Sequence, residues 1–267
     1  MKKILSLLML CLMAGILFAG CQGNSGKLTV AMELAYPPFE TKDDAGNPTG
    51  ISVDFAKALG EHLGREVEIV NTAWDGLIPS LQTGKADLVI SSMTITEKRK
   101  LEVDFSDPYA NSLLAILANR DSGIGNINDL NQPGKKVAVK TGTTGHMYAQ
   151  ENLTNAELIV LADESACVTE VSQGKADGFL YDQLTIYRNN QNHPDTTTAV
   201  FIPFQNVDFW GVAVKKGRTE LLNDINKFIE TYTAEGGFDR LSDKYLNAEK
   251  AAFAELGFQW FFDIIKE

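Results

Sequence analysis

Three short stretches of the chain carry side chains whose types and spacing could hold a charged molecule. In "SSMTITEKR", Arg99 follows Thr94 by five residues, so a planar guanidinium fork, a hydroxyl and a backbone N–H can converge on one carboxylate. Lysine could not reproduce that fork. In "GTTG", Thr143 and Thr144 stand before a helical pattern, where hydroxyls and free backbone N–H groups gather at the positive end of the helix. An ordinary N-cap at the same place is compatible with that use. In "GFLYD", Asp182 closes an apolar run and can present a carboxylate at the end of a strand.

Other chemistries find less support. The three histidines, His62, His146 and His193, do not cluster, which leaves no spacing for a metal site or a Ser/His pair. No catalytic residue, metal or cofactor is expected. Among three cysteines, Cys11 falls in an N-terminal leader, Cys21 ends it, and Cys167 lies beside Val168 and Val171 on a helical pattern, as a buried inert thiol would. The exported part therefore has no internal disulfide. Net charge is -11, and -13 once Lys2 and Lys3 are removed with the leader, so nucleic acid is not an expected partner.

The elements that must position these groups form two similar series. The first runs "KLTVAM" (strand), "GISVDFAKALGEHLG" (helix), "EVEIV" (strand), "TAWDGLIPSLQTG" (helix) and "ADLVISS" (strand). The second runs "KKVAVKTG", "TTGHMYAQENL", "ELIVLA", "ESACVTEVSQG" and "ADGFLYD" in the same order. The tetrapeptide "GKAD" recurs at Gly84–Asp87 and Gly174–Asp177, each time between the end of a helix and the start of a strand. Alternation of this kind argues for parallel, doubly wound sheets, which gather ligands at the carboxyl edge of their strands. Two such edges facing each other would make a cleft. "FWGVAVKK" then reads as one further strand, followed by two helices that pack back on the first unit and make it discontinuous in sequence.

At the N-terminus, "MKKILSLLMLCLMAGILFAGC" has the charged start, short apolar stretch and small residues of a secretory signal. "LFAGC" resembles a bacterial lipobox, which implies a lipid on Cys21, and "QGNSG" reads as a flexible tether.

"ISVDFAKAL", "AWDGLIPSL", "TITEKRKLEVDFSDPY", "KTGTTG" and "GKADGFLYD" together resemble the bacterial extracellular solute-binding proteins of family 3, the polar amino-acid receptors of ABC importers. The resemblance spans about residues 27–246. It implies an α/β, two-lobed periplasmic-binding-protein-like fold of type II, each lobe a doubly wound, mostly parallel sheet with the ligand cleft between. The expected organisation is 1–20 leader, 21–26 tether, 27–110 with 211–246 as lobe 1, 111–210 as lobe 2, and 247–267 as a helical extension. Tyr109 and "FWG" at Phe209–Gly211 fall where the two crossings between lobes belong.

The resemblance also implies roles for individual residues. Arg99, Thr94 and Thr144, with Thr143, would hold an α-carboxylate, while Asp182 and the Ser92 carbonyl would hold an α-ammonium. Tyr36 and Trp74 match aromatics that sandwich the ligand, and Glu33 lies near its side-chain end, which suits a basic or polar amino acid. Two positions depart from the family pattern: Ser52 replaces its usual acid, and Ser92 stands where glycine is frequent. The partners implied are a free L-amino acid and the permease of an ABC importer, with the protein a monomer anchored outside the cytoplasm. Two alternatives stay open: a dehydratase resembling cyclohexadienyl dehydratase, with Glu33 as general acid, and a sensor module, for which a membrane span and signalling domain after residue 267 would be expected. Cys21→Ser is expected to move the mature protein from the membrane fraction to the soluble fraction; persistence in membranes would refute the lipid anchor.

Overall fold

The computed structural model describes residues 26–201 and 203–264; the leader, Cys21 and most of the tether lie outside them. Two five-stranded sheets organise the chain. The first has the spatial order Val67–Asn71, Leu28–Met32, Leu88–Val89, Ala213–Lys215, Val103–Phe105, and the second Glu157–Leu161, Lys136–Lys140, Gly178–Asp182, Leu114–Asn119, Thr197–Val200. In each, three neighbouring strands run parallel, a fourth is reversed, and a fifth pairs antiparallel with that one. Four of five strands therefore share a direction.

The reversed strand is the first that the chain forms after crossing from one sheet to the other, Leu114–Asn119 outward and Ala213–Lys215 on return. The crossings themselves, Ala110–Ser112 and Asp208–Trp210, pair antiparallel as a two-stranded ribbon. "FWGVAVKK" is thus two strands in different sheets, not one. Gly211 separates them, and a Cβ there would stand 2.9 Å from the Ile95 side chain. Strand Leu114–Asn119 is apolar and buried over its first five residues, a run with no period-2 alternation to distinguish it from other buried segments.

Each GKAD ends a helix in the same way. Gly84 and Gly174 adopt left-handed backbone (φ +74° and +69°). Gly84 N–H and Lys85 N–H donate to Leu81 O and Ser80 O, and Gly174 N–H and Lys175 N–H to Val171 O and Glu170 O, the paired bonds of a Schellman stop. Ala86 and Ala176 turn inward, 5% and 2% exposed. The aspartates then lock the following strand to its neighbour. Asp87 accepts from Thr29 N–H (3.1 Å) and Arg65 (3.0 Å), and Asp177 from Lys136 N–H (2.8 Å) and Lys135 (2.9 Å). One sequence solves one local problem twice: stopping a helix and setting the register of the strand behind it.

Helices Thr219–Ala234 and Gly237–Tyr245 return to the first sheet, where Phe228 and Phe238 pack on Phe55 of helix Ile51–His62 at 5.5 and 5.2 Å between ring centres. The segment after them is helical only over Asn247–Glu255. Beyond it the chain runs as turns, and Phe261 is fully buried against Phe39 and Trp210. Asn111 of one crossing strand fixes this tail, its N–H donating to Phe261 O and its side chain to Trp260 O, each at 2.7 Å. Phe253 is likewise fully buried, and Phe258, Trp260 and Phe262 pack partly buried against the same core. Cys167 is fully buried, and burial pushes its thiol up to about 12. Among the described residues no helix is long and apolar enough to cross a membrane. Asp177→Ala is expected to lower unfolding stability by about 0.5–1.5 kcal/mol, by removing the acceptor of the Lys136 amide; denaturant melts of the two proteins measure this.

Candidate functional site

Strand ends from both sheets meet in one cleft. Glu33 follows strand Leu28–Met32, Ser91 to Thr94 follow Leu88–Val89, Lys140 to Thr144 end and follow the strand beginning at Lys136, and Asp182 ends strand Gly178–Asp182. Every residue that the sequence predicts to touch the ligand lines this cleft: Glu33, Tyr36, Trp74, Ser92, Thr94, Arg99, Thr143, Thr144 and Asp182. Carboxyl edges are where the pleat leaves backbone and side chains free to face a ligand.

Arg99 sits on the short helix Glu97–Lys100, capped by Thr96, whose hydroxyl accepts from Arg99 N–H. Its side chain is 6% exposed. One guanidinium nitrogen donates to Thr94 O (2.6 Å) and another to Gly142 O (3.0 Å), so the group spans from one sheet's edge to the other's. The Trp74 ring lies beneath it at 5.2 Å. Gly142 adopts φ +70°, and a Cβ at that position would come within 3.4 Å of the indole nitrogen. Burial lowers Arg99 to about 10, against the pull of Asp208. Both hydrogen-bond partners are neutral carbonyls, so this cation has no carboxylate among the described residues at bonding distance.

Asp182 is the opposite case. It caps helix Gln183–Asn192, Oδ1 accepting from Leu184 N–H (2.9 Å) and Thr185 N–H (3.1 Å), while Oδ2 is buried without a hydrogen-bond partner. The Tyr36 hydroxyl, likewise buried without a hydrogen bond of good geometry, stands close to the Asp182 carboxylate. Burial raises the Asp182 carboxyl above the usual range, opposed first by the Thr185 amide and then by the Thr185 and Tyr36 hydroxyls. Thr143 caps helix Thr144–Asn152, accepting from His146 N–H (3.3 Å) and donating to Lys140 O (2.8 Å). Gly145 lets this helix start directly against strand Gly178–Asp182, since a Cβ there would lie 2.3 Å from Leu180 O.

Several site residues escaped the sequence analysis. Lys140, 3% exposed, pairs with Glu33 across the cleft and lies over Trp74 at 5.7 Å from the ring centre. It ends a strand immediately before "GTTG", the same kind of position as Asp182, and that placement could have marked it. Glu40, 1% exposed, accepts from Ser52 (2.5 Å), Ser92 (3.1 Å) and Ser91 (3.4 Å). Burial pushes its carboxyl up to about 8, against those three hydrogen bonds and with Glu33 adding to the rise. Nothing in "YPPFE" distinguishes it from a surface acid. Tyr181 and Trp210 also line the cleft, Trp210 from the crossing strand. Glu164, behind the cleft lining and bonded to Asn189, is raised by burial and then by Asp182 to about 7. Among the described residues no cluster of three metal-ligating side chains occurs.

Comparison with known proteins agrees with this arrangement. A family model for bacterial extracellular solute-binding proteins, family 3, matches residues 28–248. The L-cystine-binding protein TcyJ of Escherichia coli (strain K12) is 33% identical over 226 residues, 84% of each chain. Among solved structures, the ancestral amino acid-binding protein AncCDT-1, described as a precursor of cyclohexadienyl dehydratase, is 39% identical with a TM-score of 0.76, covering 82% of this chain and 95% of that one. An ancestral arginine-binding protein bound to glutamine is 36% identical with a TM-score of 0.74, covering 83% and 98%. Two like sheets whose strand ends converge on a buried guanidinium and a buried carboxylate, together with a family match over nearly all the described residues, make this chain a member of the bacterial extracellular solute-binding proteins, family 3.

Proposed function

We propose that the protein binds one free amino acid between its lobes and delivers it to the permease of an ABC importer, without covalent chemistry. The observation that carries this reading is the pair of uncompensated charges in one cleft: a buried guanidinium bonded only to carbonyls, and a buried carboxylate with a free oxygen. A zwitterion supplies both missing partners at once. Enclosing either of its charges without such partners would cost several kcal/mol. Arg99 takes the α-carboxylate with Thr94, Thr143 and Thr144, and Asp182 takes the α-ammonium with the Ser92 carbonyl. Residues 27–110 with 211–246 move as one lobe and 111–210 as the other, and ligand stabilises the closed arrangement by contacting both. The likeness to AncCDT-1 is to an amino acid-binding precursor, and Glu33 is engaged by Lys140, both of which favour binding over elimination. The mature protein acts as a lipid-anchored monomer outside the cytoplasm.

Lys140 refines the choice between basic and polar ligands. Its ammonium already answers Glu33, so an arginine or lysine side chain would have to displace a buried cation, whereas a neutral polar group such as a carboxamide meets one acceptor and one donor. The polar class fits better. Trp74 and Tyr36 flank the ligand's apolar stem.

Screening the twenty free amino acids by thermal shift tests the reading directly; stabilisation by none of them would reject it. Arg99→Ala is expected to cost about 3–5 kcal/mol of affinity by stranding a buried carboxylate, about two to four decades in Kd, and unchanged binding in a calorimeter would refute the assignment. Lys140→Met is expected to move selectivity at least about tenfold from glutamine toward arginine, read as the ratio of the two dissociation constants; an unmoved ratio would remove Lys140 from side-chain selection.

A further inference from the structure

Ser92 is the one non-glycine residue with positive φ among the described residues, at +47°. Left-handed backbone is unfavourable for a residue with a Cβ, and glycine is the usual solution. Here the hydroxyl of Ser92 donates to Glu40 Oε2 at 3.1 Å, and the hydroxyl of Ser52 reaches the same oxygen at 2.5 Å. The other oxygen, Oε1, meets Ser91 Oγ at 3.4 Å, and Ser91 Oγ accepts the Glu33 N–H at 3.0 Å. Both positions where this chain departs from the family pattern, Ser52 and Ser92, therefore converge on one buried carboxyl oxygen. Glu40 is itself held by reciprocal backbone bonds with Tyr36, at 2.8 and 3.0 Å. Tyr109 packs beside Ser92, and Glu33 is the acid next to Glu40 in the network.

We propose that Glu40 is the positioning residue of the ammonium subsite: through Ser92 Oγ it holds the left-handed turn that aims the Ser92 carbonyl into the cleft, and Ser52 fixes Glu40 for that task. The assignment rests on the amino-acid reading above. Its physical content is a substitution of one stabiliser for another. Glycine would reach the turn by lacking a Cβ, while this chain reaches it with a serine tethered to a carboxyl. A residue that merely filled space beneath the cleft would not care which of these routes position 92 takes.

The twenty free amino acids, each titrated in turn by calorimetry into wild type and variants, test this. Ser92→Ala keeps the Cβ and loses the tether, whereas Ser92→Gly loses both. Ser92→Gly is expected to bind about tenfold more tightly than Ser92→Ala, the factor set by the left-handed cost. Glu40→Met is expected to weaken binding about tenfold or more, Glu40→Gln to keep most of the affinity because an acceptor remains, and Ser92→Gly placed in Glu40→Met to recover about tenfold. Equal affinities for Ser92→Ala and Ser92→Gly, or no recovery in the double variant, would overturn the proposal. Should Glu40→Met not fold, the two Ser92 variants decide alone. Wild type binding none of the amino acids would instead sink the amino-acid reading, so the two failures are distinct.

Discussion

A guanidinium taken out of water must be given oxygen acceptors, and at Arg99 these come from two different sheets: Thr94 O at one edge and Gly142 O at the other. Much of the local construction follows from that demand. The short helix Glu97–Lys100 and its Thr96 cap fix where the side chain starts. Gly142 supplies a carbonyl in a backbone conformation that brings it against Trp74, and the indole covers the guanidinium from below. Carbonyls satisfy hydrogen bonds but do not neutralise charge, so the guanidinium keeps its charge with no carboxylate at bonding distance among the described residues.

The opposing lobe shows the complementary arrangement. Asp182 spends one oxygen on the helix it caps and leaves the other buried without a partner. In the first sheet, the strand that leads to the cation begins at a GKAD corner; in the second, the strand that ends in the anion begins at another. Matching local stops and aspartate clasps therefore set matching strand registers, and differences at the far ends of the strands give the two edges opposite charge. Glu33 and Lys140 repeat the theme at the periphery, an acid from one lobe and a base from the other.

Local signals made much of this legible. Glycine after an amphipathic run marks a helix end because left-handed backbone is cheap only there, and both GKAD corners obey that rule. Arg99, Asp182 and the two threonines carry polar groups at ends of elements, where ligand sites form, and all reach the cleft. What stayed hidden depends on distant pairing. Strand Leu114–Asn119 sits between Gly178–Asp182 and Thr197–Val200, about sixty to eighty residues away, and no local period announces that. The same holds for the break at Gly211, which is set by Ile95 from another segment. Glu40 was invisible because its meaning comes from three serines that the fold brings to it, and Lys140 because its partner lies across the cleft.

The ribbon formed by Ala110–Ser112 and Asp208–Trp210 bears on how such a molecule can flex. Two separate linkers could bend by different amounts and let one half slide sideways over the other. Strands zipped to each other by ladder bonds, with Asn111 further stitched to the backbone of the tail, cannot shear independently. The pairing couples the two crossings mechanically, so a bend or twist imposed on one strand is carried into its neighbour.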